Sequence, residues 1–143
     1  MSKSVLCALE LSDKTIDAKV LREAARLADL DQAQLDVVNV LPDFGESWVS
    51  GFFEDHHHDR AVKETADHLG KLCEEILGAE RNVKVRHVVA TGKAYQEILK
   101  VADKAGTDLI VIGAHKPELS DYLLGPNAAR VIRHSTCSVY VVR

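Results

Sequence analysis

Cysteine, basic charge and long apolar runs are all scarce in this chain, and each scarcity removes a class of function. Cys7, Cys73 and Cys137 are scattered through apolar segments. They show neither metal-ligand spacing nor the even count of a disulfide framework, so each reads as a small buried hydrophobe. Lys and Arg number 18 against 22 Asp and Glu, a formal net charge of -4, which leaves no basic footprint for nucleic acid. No apolar run approaches the length needed to span a bilayer, and Met1-Ser-Lys-Ser leads into a strand-like run without a signal-peptide core. A soluble, cytoplasmic protein with no membrane or nucleic-acid partner is expected. The chain also lacks a Gly-x-Ser-x-Gly elbow, a Cys-x-x-Cys pair and a P-loop. No catalytic residue is assigned, and the protein is expected not to be an enzyme. Without a P-loop lysine followed by Ser or Thr for magnesium, any hydrolysis of ATP would be slow.

The 143 residues, 46% hydrophobic and 28% charged, suffice for one globular domain over residues 1–143 with a substantial core. Short runs rich in branched residues alternate with amphipathic stretches of helix length. Val5-Leu-Cys-Ala-Leu, Leu35 to Leu41, Val83 to Val89, Leu109 to Ile112 and Val139 to Val142 read as five strands. Four helices lie between them. Val20, Ala24, Leu27 and Ala28 mark the inner face of the first, and Val62, Ala66, Leu69, Cys73 and Ile76 that of the second. Tyr95, Ile98, Leu99 and Ala102 mark the third, and Ala128, Val131 and Ile132 the last. Strict alternation of strand and helix predicts right-handed crossovers and an α/β parallel sheet covered by helices on both faces.

One connection is unusually long. Pro42 to Asp59 contains Trp48, Phe52, Phe53 and three histidines with no convincing period, which reads as a surface loop or as a flap over a ligand. Asp55-His-His-His-Asp59 offers side chains suited to zinc or nickel, but successive histidines point in different directions. No metal site is assigned, and His56 to His58 are read as solvated. His115 and His134 read as ordinary surface imidazoles.

The densest signal runs from Asp108-Leu-Ile-Val-Ile-Gly113 through a polar loop to Gly125-Pro-Asn. A buried strand, a loop and the start of a helix together favour an anion, because unpaired helix N–H groups and the helix dipole point into the gap. That arrangement suggests a nucleotide. The glycine loop, an acidic residue and serine after the first strand, Leu-Leu-Gly125, and the closing Arg133-His-Ser-Thr-Cys-Ser-Val-Tyr-Val-Val-Arg143 make the whole chain resemble a universal stress protein. The resemblance implies a flavodoxin-like, Rossmann-like five-stranded parallel sheet of order 3-2-1-4-5. It implies a homodimer paired through Val139 to Val142 and, in one branch of the family, ATP binding. Members of another branch lack the phosphate motif and bind no ATP.

Carried onto this sequence, the resemblance puts Ala8, Leu9 and Glu10 against the adenosine, with Glu10 on the ribose, and Val40 against the adenine. It puts Ile112, Gly113, His115 and Lys116 on the near side of the phosphates, and Gly125, Pro126, Asn127 and Ala128 on the helix side. ATP is the implied ligand, with ADP or AMP as alternatives and magnesium as a companion ion. Four departures stand out. Glu10 replaces the usual aspartate, Lys116 replaces a glycine, the glycine loop is one residue shorter, and Pro126 replaces a serine that would offer a hydroxyl and an N–H. Proline also suits the first position of a helix for purely structural reasons. The leading expectation is a nucleotide-binding stress-response module whose loops Pro42 to Asp59 and Lys116 to Leu124 change with the ligand and are read by an unidentified client protein. The alternative is a dimeric interaction protein that binds no nucleotide.

Overall fold

The computed structural model describes residues 3–42, 51–114 and 125–143, with residues 51–58 described by their backbone alone. In chain order the elements are β1 (Ser4–Ala8), α1 (Lys14–Leu30), β2 (Gln34–Leu41), α2 (Gly51–Leu77), α3 (Ala79–Asn82), β3 (Arg86–Thr91), α4 (Ala94–Ala105), β4 (Leu109–Gly113), α5 (Pro126–His134) and β5 (Ser138–Val142). The strands form one sheet of order β3-β2-β1-β4-β5, and every neighbouring pair is parallel. The order implied by the family resemblance is therefore the observed one.

The sheet divides the core in two because successive side chains of a strand point to opposite faces. Val5, Cys7, Leu35, Val37 and Val111 face one way and pack with Val20, Leu21 and Ala24 of α1 and Leu69, Leu72 and Cys73 of α2. Leu6, Ala8, Val38, Ile110 and Ile112 face the other way, onto Ile98 and Ala102 of α4 and Ala128 and Val131 of α5. β1 is buried along its whole length, as the central strand of a sheet covered on both sides must be.

Polar groups fix the ends of the elements. Asp108 Oδ2 accepts the N–H groups of Lys3 at 2.7 Å and Ser4 at 3.1 Å, tying the start of β1 to the start of β4. Asp36 and Arg86 are partners in the β2–β3 register. Arg86 Nε and Nη2 donate to the two Asp36 oxygens at 2.7 and 2.9 Å, a bidentate pair that satisfies a buried carboxylate. Gly106 ends α4 with φ 65 and donates to the carbonyls of Ala102 and Asp103, a left-handed cap that glycine adopts without a Cβ penalty.

Four expectations need correction. α2 begins at Gly51, so the part of the expected loop Pro42 to Asp59 from Gly51 onward, with His56 to His58, has a helical backbone; residues 43–50 lie outside the described residues. The third strand begins at Arg86 and not at Val83, which is 84% exposed beside the short helix α3. Ile132, assigned to the inner face of the last helix, is 41% exposed. Cys7 and Cys73 are buried as expected, whereas Cys137 is only half-buried.

Candidate functional site

The chain reverses direction across the sheet at β1, since β2 continues on one side and β4 on the other. Crevices of parallel sheets open at such a point, beyond the carboxyl ends of the strands. A cleft of about 390 Å3 lies there. Its base is apolar, formed by Ala8, Val38 and Ile112 at the strand ends with Ile98 of α4 and Ile16 and Val20 of α1. Glu10, Ser12 and Asp13 rim one side, and Gly125, Pro126 and Asn127 rim the other.

Of the residues singled out in the sequence, Ala8, Leu9, Glu10, Val40, Ile112, Gly113, Gly125, Pro126, Asn127 and Ala128 all line this cleft. His115 and Lys116 lie outside the described residues. Glu10 is exposed, Val40 half-buried and Ala8 buried. The fold thus brings together four separate segments, the ends of β1, β2 and β4 and the start of α5.

Each segment is held by a local device. Asp13 caps α1, its Oδ1 accepting the N–H groups of Thr15 at 2.9 Å and Ile16 at 3.3 Å, which uses up much of its capacity as an acceptor. Leu9 donates its N–H to the Val38 carbonyl at 3.0 Å and accepts at its own carbonyl from Asn39 Nδ2 at 2.8 Å. Gly113 is needed for clearance: a Cβ there would sit 3.1 Å from Val20 Cγ2. Its role is close approach to α1, because its φ is not in the left-handed region. Gly125 is the N-cap of α5 with φ -64, and Pro126 occupies the first turn with no side chain capping it. The N–H groups of Asn127 and Ala128 are consequently the donors that α5 turns toward an anion.

Sequence reasoning missed Asn39, Ser12, Asp13 and Asp17, which also line the cleft. Asp17 is 4% exposed. Burial pushes its carboxyl above the ordinary value of 3.8, the N–H groups of Leu11 and Glu10 oppose that rise, and the carboxylates of Glu10 and Asp13 add to it. A signal for Asp17 existed, because it lies three and four residues before Val20 and Leu21 and so falls on the apolar stripe of α1. Among the described residues the lining carries the carboxylates Glu10, Asp13 and Asp17 and no Lys, Arg or His.

A family model described as the universal stress protein family matches residues 1–143. The chain belongs to the universal stress protein family. Universal stress protein YxiE of Bacillus subtilis (strain 168) is 31% identical over 152 residues, covering 100% of both chains. Among solved structures, MJ0577, a Methanocaldococcus jannaschii protein, is similar in fold with a TM-score of 0.79 at 23% identity, covering 99% of this chain and 96% of that one. A universal stress protein solved in complex with cAMP has a TM-score of 0.64 at 19% identity, covering 99% of this chain and 97% of that one. One from Archaeoglobus fulgidus in complex with dAMP has a TM-score of 0.60 at 20% identity, covering 100% and 98%. This universal stress protein thus shares its fold with relatives that bind adenine nucleotides. No helix among its described residues is long and apolar enough to cross a membrane.

Proposed function

We propose that this universal stress protein binds an adenine nucleotide in the cleft beyond β1 and β4 and works as a stress-response regulatory module read by a client protein. The observation that carries the reading is the convergence of the β1 end, the β2 end and the α5 start on one cleft with an apolar base, an exposed carboxylate and free helix donors. An apolar base suits a purine, Glu10 suits the ribose hydroxyls, and the N–H groups of Asn127 and Ala128 suit phosphate oxygens. The relatives solved with cAMP and dAMP support the adenine part. ATP is the proposed ligand, with ADP or AMP as alternatives and magnesium accompanying the phosphates. Lys116 would supply a cation that the described lining lacks. No group is given a catalytic role, and the module is proposed to act in the cytoplasm as a homodimer. β5 is an edge strand whose Val139, Tyr140 and Val141 are half-buried or exposed, and such an edge favours pairing with a second copy.

Two observations favour a second reading, a dimeric interaction protein that binds no nucleotide. Pro126 has no N–H at the helix start, and the carboxylates of the described lining repel polyphosphate. Thermal denaturation with ATP, ADP, AMP and adenosine separates the two. A ligand of the native state raises the melting temperature by mass action, so the nucleotide reading expects a concentration-dependent rise with at least one of them. No rise at millimolar ligand, together with no heat on titration, would select the second reading. Light scattering at micromolar protein tests the dimer, which a monomer mass would refute.

A further inference from the structure

The two helical layers differ in charge. From Gly125 to Arg143 the chain holds Arg130, Arg133 and Arg143 and no Asp or Glu, although its formal net charge is -4. Beside α5, the exposed Lys93, Lys100 and Lys104 of α4 and its N-cap stand against Glu97 and Asp103. On the other face of the sheet α2 carries more Asp and Glu than Lys and Arg. An acidic protein thus has a positive layer along the outer faces of α4 and α5.

One arginine of that layer is held in an unusual way. Arg26, Arg81 and Arg86 each pair with a carboxylate, those of Glu23, Asp29 and Asp36. Arg130 has no such partner among the described residues, and its Cζ lies 5.3 Å from the centroid of the Tyr95 ring. Tyr95 also stacks on His134, with centroids 6.1 Å apart and planes 29° from parallel, and its hydroxyl accepts from Gln96 Nε2 at 3.3 Å. Arg130 and His134 are four residues apart on α5 and so share a face. Stacking on a ring orders a guanidinium without using its N–H groups, so the planar fork stays open to a bidentate acceptor. Part of the ordering cost of binding is thereby met in advance.

A cavity of about 350 Å3 opens beside this group, with Gln96, Lys100, Thr107, His134 and Ser135 in its lining. The Thr107 hydroxyl is buried without a hydrogen-bond partner. Such a group costs free energy until something polar reaches it.

We propose that the α4–α5 face docks an acidic segment of a partner protein, with a carboxylate on the Arg130 fork and a neighbouring polar side chain in the cavity beside His134. This gives the chemistry of the client; it rests on the reading of the protein as a client-read module and not on nucleotide binding. A nucleic acid fits less well, because a phosphate strand needs cations spaced along it. Here Glu97 and Asp103 stand among them, and Glu97 already engages Lys100 at 3.1 Å.

The probe is a labelled peptide of alternating Glu and Ser, titrated into the nucleotide-free protein and followed by fluorescence anisotropy. Arg130→Lys keeps the charge but loses the fork, so affinity should fall roughly tenfold. Tyr95→Leu keeps every charge but loses the ring, and should cost roughly threefold. Tyr95→Phe should bind like the wild type, which separates lost stacking from a disturbed fold, and so should Arg22→Lys in the opposite layer. Equal affinity in Arg130→Lys, or for a peptide of alternating Gln and Ser, overturns the proposal. It is also overturned if another occupant emerges: single-stranded DNA of the same charge binding more tightly, a second copy whose association Arg130→Lys abolishes, or the chain's own acids, shown by tighter peptide binding when Glu118→Gln is combined with Asp121→Asn. A photo-reactive side chain placed in cells at Arg133 or at Arg22 tests the client reading itself. No cross-linked protein from either position overturns that reading while the peptide still decides the face, and cross-links from Arg22 alone overturn the face.

Discussion

Gly113 gives the most direct way to test how the cleft is built. Alanine at this position would bring a Cβ to 3.1 Å from Val20 Cγ2 and 3.8 Å from Ile16 Cγ2. The first distance is a few tenths of an ångström too short, and the neighbour that must move is poorly able to. Val20 is 3% exposed in the middle of α1, and a β-branched side chain in a helix has one strongly preferred rotamer. Relief must come from a shift of α1 against the sheet, an overpacking cost of about 1–3 kcal/mol. Against this, losing a glycine at an ordinary φ stabilises by about 0.4–1 kcal/mol through the unfolded chain. Gly113→Ala should therefore destabilise by roughly 0.5–2 kcal/mol. Val20→Ala alone costs more because it leaves a cavity, but it removes the obstructing methyl. In that background Gly113→Ala should be neutral or stabilising. Urea denaturation of the wild type, both single variants and the double variant measures the coupling directly. Equal costs for Gly113→Ala in the two backgrounds would refute the claim that this glycine exists for clearance against α1.

The remaining predictions concern the cleft rim, the sheet and proton linkage. Pro126→Ser restores an N–H and a hydroxyl at the start of α5, so ATP affinity measured calorimetrically should rise roughly tenfold, as one hydrogen bond to a charged group implies; unchanged affinity would mean that phosphates do not approach this helix. Arg86→Leu leaves the buried Asp36 carboxylate without its bidentate partner. Chemical denaturation should show a loss of roughly 1–3 kcal/mol, kept below the largest buried-pair values because the arginine side chain is 61% exposed. Asp17 has a folded-state value raised above 3.8, so ionising it works against the native state. Its contribution to stability is full below the unfolded value and declines as pH rises through the folded one. The stability of Asp17→Asn relative to the wild type should accordingly grow from about pH 4 to about pH 7, and a difference independent of pH would contradict the sign.

Much of this molecule was legible in the sequence because two periodicities govern it. Val5 to Ala8 and Leu109 to Ile112 read as continuous apolar runs, and all of them but the half-buried Leu109 are buried. Val20, Ala24 and Ala28 repeat at helical spacing and meet the sheet as expected. The start of α2 was not legible. Gly51-Phe-Phe-Glu-Asp-His-His-His mixes a glycine with residues of middling helix propensity and carries no apolar stripe, so neither period emerges from it. β3 was begun too early for the opposite reason, since Val83-Lys-Val-Arg alternates as a half-buried strand does. In the fold its first valine instead follows the single turn of α3 and points to solvent. In the cleft, the segments carrying the family resemblance were readable, but the residues holding them were not. Asn39 looks like any polar residue in a strand, and its bond to the Leu9 carbonyl depends on a neighbour 30 positions away. Asp17 sits in the first turn of α1, where an acid is ordinarily solvated, and only its place on the apolar stripe sets it apart.

The central place of β1 also bears on how the chain comes off the ribosome. Its first partner, β2, follows within about a helix length, but its second, β4, begins at Leu109, and the Ser4 amide waits for a carboxylate 104 residues further on. Until that segment emerges, β1 has one unpaired edge, and Leu6, Ala8 and Val38 lack the cover that α5 later provides. An N-terminal fragment would therefore bury only one face of its sheet, leaving an open strand edge able to pair with another chain. Synthesis of the last third of the chain, more than any earlier step, closes the second edge of β1 and covers the second face of its sheet.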